Sequence, residues 1–198
     1  MLIIGNGESR KGIDLEQYKC EKIGCNAIFR QHKVRHIVCL DRRMAQEAVK
    51  NMVNLKSGIW TRPDWHHEFK GKHNVNAVPG LWYSPETKAD EAFHWGSGPY
   101  AIYIGLYFYK KEPLDIIGFD LYSNDSQINN IFKGTRNYES ADSKAVDPRF
   151  WVHQIAKLIE KFSDRTFRFY NTPDWELPDS WNKPNVQKLN LSELDKNV

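Results

Sequence analysis

The chain has 198 residues, a length that one domain accommodates comfortably and two only with difficulty. Hydrophobic residues make up 40% of it, which is enough to bury a core and argues against a disordered chain. The formal net charge is only +3 and the basic residues are scattered, so the composition argues against a dedicated nucleic-acid binder.

Cysteine usage and hydropathy predict the compartment of the protein. The three cysteines, Cys20, Cys25 and Cys39, form no Cys-x-x-Cys pair, so we predict neither a disulfide framework nor a zinc site and expect a cytoplasmic location. The first residues lack the pattern of a signal peptide, and the apolar run at 100–109 is too short to span a bilayer. We expect no stable membrane insertion, and the sequence leaves a homo-oligomer open.

Strands and helices alternate in the first part of the chain. Apolar periodicity predicts strands at residues 2–4, 22–25, 36–40 and 57–61, with helices at 14–20 and 43–55. Residues 62–95 show no clean period and are rich in Trp, His and Pro. We interpret them as a long irregular insertion that shapes a pocket.

The same alternation continues to about residue 170. We predict a helix from the Gly98-Pro99 pair to about residue 110, with the proline at its first position. A strand at 114–118, a helix at 148–162 and a strand at 166–169 follow, and residues 171–198 are expected to form an irregular tail. This order predicts an α/β fold with a mostly parallel central sheet, in a single nucleotide-binding domain spanning 1–170.

The clearest local motif is Ile3-Ile4-Gly5-Asn6-Gly7-Glu8-Ser9, a strand that leads into a glycine-bracketed turn. Such a turn lets the backbone approach a ligand and offers N–H groups to an anion, although a plain strand-to-helix turn explains the two glycines as well. No Gly-Lys-Ser/Thr follows, and Arg10 occupies the position of the third glycine of a dinucleotide fingerprint. Asn26 ends the second strand, beside this loop, where it can contact a ribose or a base.

Two further turns carry candidate residues. Ser97 and Gly98 precede a helix and form a second candidate phosphate cradle, although a serine there is also a common helix cap. The stretch Ile116-Ile117-Gly118-Phe119-Asp120-Leu121-Tyr122 delivers Asp120 and Tyr122 to the end of a strand. A carboxylate there can act as a base, bind hydroxyls or cap the neighbouring loop. The histidines match no metal-binding spacing, so we predict no metal site.

Taken in order, these motifs resemble the bacterial lipooligosaccharide sialyltransferases and their motility-accessory-factor and hydroxymethylpterin pyrophosphokinase-like relatives, over about residues 1–170. The resemblance implies a three-layer Rossmann-like fold that binds a cytidine nucleotide. It assigns Tyr122 to the leaving phosphate. The substrate-binding residues that it and the motifs imply are Gly5, Asn6, Gly7, Ser9, Asn26, Ser97, Gly98, Gly118 and Phe119.

The predicted function is a metal-independent glycosyltransferase that uses a nucleotide-activated sugar, CMP-linked above all, as substrate and needs no cofactor. The candidate catalytic residues are Asp120 or His94 as base and Tyr122 at the phosphate, and the insertion at 62–95 would supply the acceptor site. The sequence differs from the family in two places. No histidine lies in 143–147, where the family has its catalytic histidine, and Tyr138 is the nearest substitute for a second phosphate-binding tyrosine expected near Ile128.

Two alternatives stay open. A pyrophosphokinase would bind ATP and Mg²⁺ through clustered carboxylates, for which Asp41, Asp120 and Asp125 are the candidates. A catalytically inactive protein would keep the nucleotide-binding turns and catalyse no reaction, which agrees with the absence of a histidine in residues 143–147.

Overall fold

The computed structural model describes residues 1–110, 112–123 and 126–195. It contains one sheet of eight parallel strands in the order β5-β4-β3-β2-β1-β6-β7-β8. The strands are β1 Leu2–Ile4, β2 Lys22–Cys25, β3 His36–Val38, β4 Gly58–Thr61, β5 Val75–Ala77, β6 Leu114–Ile117, β7 Phe167–Asn171 and β8 Val186–Asn190. The predicted α/β class with a parallel sheet is confirmed, and the arrangement is that of a three-layer Rossmann-like fold.

Four α-helices accompany the sheet within the described residues. They are α1 Arg42–Lys50, α2 Pro63–His66, α3 Ser97–Phe108 and α4 Arg149–Lys161. None of these helices is long and apolar enough to cross a lipid bilayer.

The core lies on both faces of the sheet. Its central strands are almost entirely apolar, as expected for parallel strands that are covered on each side. Ile3 and Ile116 face α3 and α4, whereas Ile4 and Ile37 face α1. Because successive side chains of a strand point to opposite faces, each short strand contributes to two cores at once.

Helix α3 is buried all round from Pro99 to Leu106, which the apolar run in its sequence predicts. Gly105 lets this helix approach the sheet, since a β-carbon there would lie 2.8 Å from the Ile3 Cδ1 atom. The helix begins at Ser97, with Gly96 as its N-cap, so Pro99 is its third residue and not its first. This shift by two residues leaves the N–H groups of Ser97 and Gly98 in the first helical turn.

Three other boundaries differ from the sequence prediction. Helix α1 ends at Lys50 because Met52 has a left-handed backbone with φ of 56°, and residues 14–20 form a short 3-10 turn at Leu15–Gln17. The segment 62–95 is not wholly irregular, because its residues Val75–Ala77 form the edge strand β5. A strand of three residues is too short to show a recognisable period.

The C-terminal segment was expected to lack regular structure, and this expectation is wrong for part of it. Strand β8 pairs in parallel with β7 along five residues, and Trp175 and Trp181 of the same segment are buried against the core. Because β8 is an edge strand with one face toward water, its sequence lacks the apolar run that marks the central strands.

Candidate functional site

A cleft opens at the carboxyl ends of the strands, where the strand order reverses. From β1 the chain moves through β2 to β5 on one side and then crosses to β6 on the other, so the switch point lies between β1 and β6. The cleft has a volume of about 410 Å³. Its lining includes Gly5, Asn6, Gly7, Asn26, Ser97, Gly98, Gly118, Phe119, Asp120, Tyr122 and Tyr138.

The glycine-bracketed loop after β1 packs directly on the loop after β6. The N–H of Gly5 donates to Ile117 O at 2.8 Å, and the N–H of Gly7 donates to Gly118 O at 2.9 Å. A β-carbon on Gly7 would lie 2.4 Å from the Asp120 carboxyl carbon, and Gly118 has a left-handed φ of 68°. These glycines therefore allow the loop after β1 to pack on the loop after β6. The cleft forms where the two loops meet.

Asn6 holds three segments together from a buried position. Its Nδ2 atom donates to Cys25 O at 3.1 Å and to the Tyr138 hydroxyl at 3.2 Å, and its Oδ1 atom accepts from Arg10 at 3.3 Å. Arg10 also donates to Gly5 O at 2.6 Å, and burial lowers the pKa of its guanidinium, an effect that Cys25 and other neighbours partly offset. Both ends of the Asn6 amide therefore already have partners within the protein.

Asn26 and Ser97 meet across the cleft. The Ser97 hydroxyl donates to Asn26 Oδ1 at 3.0 Å and accepts from the Leu40 N–H at 3.2 Å. Asn26 itself has a left-handed backbone with φ of 50°, which turns the chain at the end of β2. Within the described residues no partner is found for its Nδ2 group, so this donor is available at the cleft wall.

Asp120 organises the loops around the end of β6. Its carboxylate accepts from the Ser9 N–H at 2.8 Å, from the Ser9 hydroxyl and from Asn171 Nδ2 at 3.4 Å. The Trp175 indole donates to Asp120 O at 2.8 Å. Of the roles considered for this residue, capping of the neighbouring loop is the one these contacts describe directly.

A second hollow adjoins the cleft, and we call it the acidic hollow. Its volume is about 670 Å³. It is lined by Glu8, Ser9, Asp120, Tyr122, Ser123, Asn129, Thr172, Asp174, Trp175, Glu176, Leu177, Pro178 and Asp179. Ser9, predicted to bind substrate, lies in this hollow and not in the cleft.

The two remaining catalytic candidates have different surroundings. Tyr122 is 44% exposed and lines both the cleft and the acidic hollow. Burial raises the pKa of its hydroxyl, and the nearby Glu176 and Asp179 raise it further, so this hydroxyl stays protonated near neutral pH. His94 lines neither space and lies 3.5 Å from Glu91, so the structure does not bring it to the candidate site.

The segment after residue 126 supplies further cleft residues, and one of them is Tyr138, the substitute considered for the second phosphate-binding tyrosine. Tyr138 lies against Asn6, and its hydroxyl also accepts from the Ala27 N–H at 3.4 Å. Burial raises the pKa of this hydroxyl well above its ordinary value. Two N–H groups donate to its oxygen, and within the described residues no acceptor is found for its own proton. The sequence indicates this segment only through its several asparagines, a composition that is typical of turns.

The same segment is fastened from the outside by Arg30. This guanidinium pairs with Glu47 through two hydrogen bonds of 2.8 and 2.7 Å and donates to Thr135 at 2.8 Å. Asn137 donates to the same Glu47 at 2.7 Å. A paired set of hydrogen bonds between a guanidinium and a carboxylate adds geometric specificity as well as stability. These bonds therefore hold the segment that carries Tyr138 in place beside the cleft.

Of the three carboxylates considered for Mg²⁺, Asp41 and Asp120 both line the cleft. Asp41 caps α1 by accepting from Arg43 and Met44 N–H groups, and Asp125 lies outside the described residues. No group of three or more His, Cys, Asp and Glu side chains suited to a metal occurs in the described part of the chain. Residues 62–95 line neither the cleft nor the acidic hollow, whereas the segment 172–179 lines the acidic hollow.

Searches of protein-family models, of curated proteins and of solved structures found no match to this chain.

Proposed function

We propose that this protein binds a CMP-activated sugar in the cleft and transfers the sugar without a metal ion. The observation that carries the proposal is the convergence of four separate sequence motifs on one cleft at the switch point of a parallel sheet. Open α/β sheets bind ligands at such points, and the cleft volume of about 410 Å³ suits a small molecule.

The N-terminus of α3 supports binding of the phosphate. The N–H groups of Ser97 and Gly98 belong to the first turn and have no hydrogen-bond partner within the described residues, and no side chain caps the helix. Free N–H groups and the dipole of a twelve-residue helix favour an anion at this end. Arg43 also lines the cleft, where its guanidinium lies 3.5 Å from the carboxylate of Asp41.

Two donors support binding of the nucleoside. The Asn26 amide and the Tyr138 hydroxyl both line the cleft and can each donate one hydrogen bond to a ligand. A cytosine offers a carbonyl oxygen and a ring nitrogen as acceptors, and a ribose offers its hydroxyl oxygens. These donors come from different segments, so the ligand would bridge β2 and the segment held by Arg30.

Transfer breaks the bond between the anomeric carbon and the phosphate oxygen, and CMP leaves with the electron pair. The oxygen of the acceptor forms the new bond and its proton passes to a base. Asp120 is the proposed base because it lines both the cleft and the acidic hollow. Ser9 and Asn171 occupy three of the roughly four acceptor positions of its carboxylate, which leaves one for the acceptor hydroxyl.

The test is calorimetric titration with CMP, with and without Mg²⁺, followed by an assay for release of CMP from a CMP-sugar. We expect CMP to bind without Mg²⁺ and Asn26→Ala to weaken it about tenfold, as for a lost hydrogen bond to a ligand. Asn76→Ala, on the exposed face of the edge strand β5, is the matched control and should bind normally. Circular dichroism checks that both variants fold.

The alternatives predict other results. Binding of ATP only with Mg²⁺ would favour the pyrophosphokinase, and CMP binding with no release from any CMP-sugar would favour the inactive binding protein. Absence of binding by every nucleotide would contradict the proposal.

A further inference from the structure

The acidic hollow is built by three segments that are distant in sequence. The loop after β1 contributes Glu8 and Ser9, the loop after β6 contributes residues 120–123, and the segment after β7 contributes residues 172–179. Trp175 forms part of its floor and is held by the hydrogen bond to Asp120 O. At about 670 Å³ the space is larger than the cleft and within the range of small-molecule sites.

The hollow and the cleft share a wall. Asp120, Tyr122, Ser123 and Asn129 line both. A transferase must hold two substrates with their reacting atoms adjacent, which requires two sites that meet at the catalytic group. The position of the hollow, more than its charge, therefore marks it as the second site.

The ionisable side chains that line the acidic hollow are all acidic. Five carboxylates line it, namely those of Glu8, Asp120, Asp174, Glu176 and Asp179, and no Lys, Arg or His is among its described lining residues. Lys133 pairs with Glu8 at 3.0 Å, but within the described residues no ion pair engages Glu176 or Asp179. A concave surface of one sign concentrates ligands of the opposite sign and repels those of its own.

We propose that the acidic hollow is the acceptor site and that it takes a cationic, hydroxyl-bearing molecule of the amino-sugar class. The carboxylates hold the ammonium groups of the acceptor, Trp175 gives an apolar surface for a sugar ring, and Asp120 faces the hydroxyl. The same charge repels the donor phosphate toward the N-terminus of α3. This inference rests on the proposed function, because only a transferase needs an acceptor.

The test uses two probes, the dimer of glucosamine with charged amines and its neutral N-acetylated counterpart. Calorimetric titration in the presence of saturating CMP should show binding of the charged dimer, and the neutral dimer should bind at least tenfold more weakly. The double variant Glu176→Gln and Asp179→Asn should weaken the charged dimer roughly threefold to tenfold, as expected for two exposed charges, and leave CMP affinity unchanged. Glu160→Gln, an exposed carboxylate on α4, is the control.

The outcomes separate this inference from the proposed function. Normal CMP binding with equal affinity for the two dimers, or with no loss in the double variant, would overturn the acceptor site alone. Failure of CMP to bind would overturn the proposed function. If the charged dimer still bound in that case, the hollow would be a cation site that is independent of sugar transfer, and the acceptor site would be overturned as well. Higher salt should weaken the binding of the charged dimer, and at each salt concentration Glu160→Gln should bind it as the wild type does.

Discussion

Asp90 anchors the segment that leads into α3, and its replacement by asparagine is the most informative perturbation of stability. Its side chain is 1% exposed, and one carboxylate oxygen accepts from the Thr87 N–H and hydroxyl, both at 2.8 Å. The other oxygen contacts His153 Nε2 at 2.7 Å and Lys157 Nζ at 3.1 Å on α4. The cluster thus fixes the chain just ahead of the cleft.

The expected loss follows from these contacts. Breaking a buried charge pair costs about 3–5 kcal/mol when the remaining partner stays buried. The side chains of His153 and Lys157 are 39% and 27% exposed, so both regain water in the variant and the cost falls to about 2–3 kcal/mol. For a chain of this length that corresponds to a fall in Tm of about 5–10 °C.

The loss should depend on pH. Burial alone would raise the pKa of Asp90, but hydrogen bonds from His153, Thr87 and Lys157 outweigh it and hold the pKa well below its ordinary value. A carboxyl whose pKa is lowered by folding stabilises the protein above its unfolded pKa of about 3.9, and this contribution disappears as the pH falls below that value. The difference between the wild type and Asp90→Asn should therefore be full at pH 6 and shrink steadily below about pH 4.

Urea unfolding followed by circular dichroism measures this difference at each pH. Asp142→Asn replaces an exposed aspartate and should unfold like the wild type at every pH. A difference below about 0.5 kcal/mol at pH 6, the range of ordinary surface substitutions, would refute the anchoring role of Asp90. A difference that grew as the pH fell would refute the pKa argument.

Three further substitutions test the site and the C-terminal segment. Gly7→Ala places a β-carbon 2.4 Å from the Asp120 carboxyl carbon, so we expect a loss of about 1–3 kcal/mol in urea unfolding, and wild-type stability would contradict the close packing of the two loops. Trp181→Ala removes a fully buried indole and should cost about 3–5 kcal/mol, whereas a loss below about 1 kcal/mol would mean that the C-terminal segment is peripheral. Tyr138→Phe removes the hydroxyl beside Asn6 and should weaken CMP roughly threefold to tenfold in calorimetry, and unchanged affinity would show that this hydroxyl does not touch the ligand.

The sequence determined the central part of the fold because that information is local. Strand Leu2–Ile4 is uniformly apolar and Leu114–Ile117 is apolar except for Asp115, and alternation with helices predicts a parallel sheet. The loops at the ends of such strands must meet at one edge, so the sequence also predicted that Gly5, Asn26 and Asp120 would lie together. These predictions needed only period, composition and the geometry of parallel sheets.

Tertiary structure alone decided the roles of individual side chains and the edges of the sheet. Asn6 is hydrogen-bonded to Cys25 O, Tyr138 and Arg10, and Asp120 accepts from Ser9 and Asn171. No spacing in the sequence encodes the proximity of partners such as Tyr138 and Asn171. The edge strand at Val186–Asn190 pairs because β7 offers it a free edge, and its own pattern does not mark it. The acidic hollow arises for the same reason, since its walls come from three distant segments that only the packed core brings together.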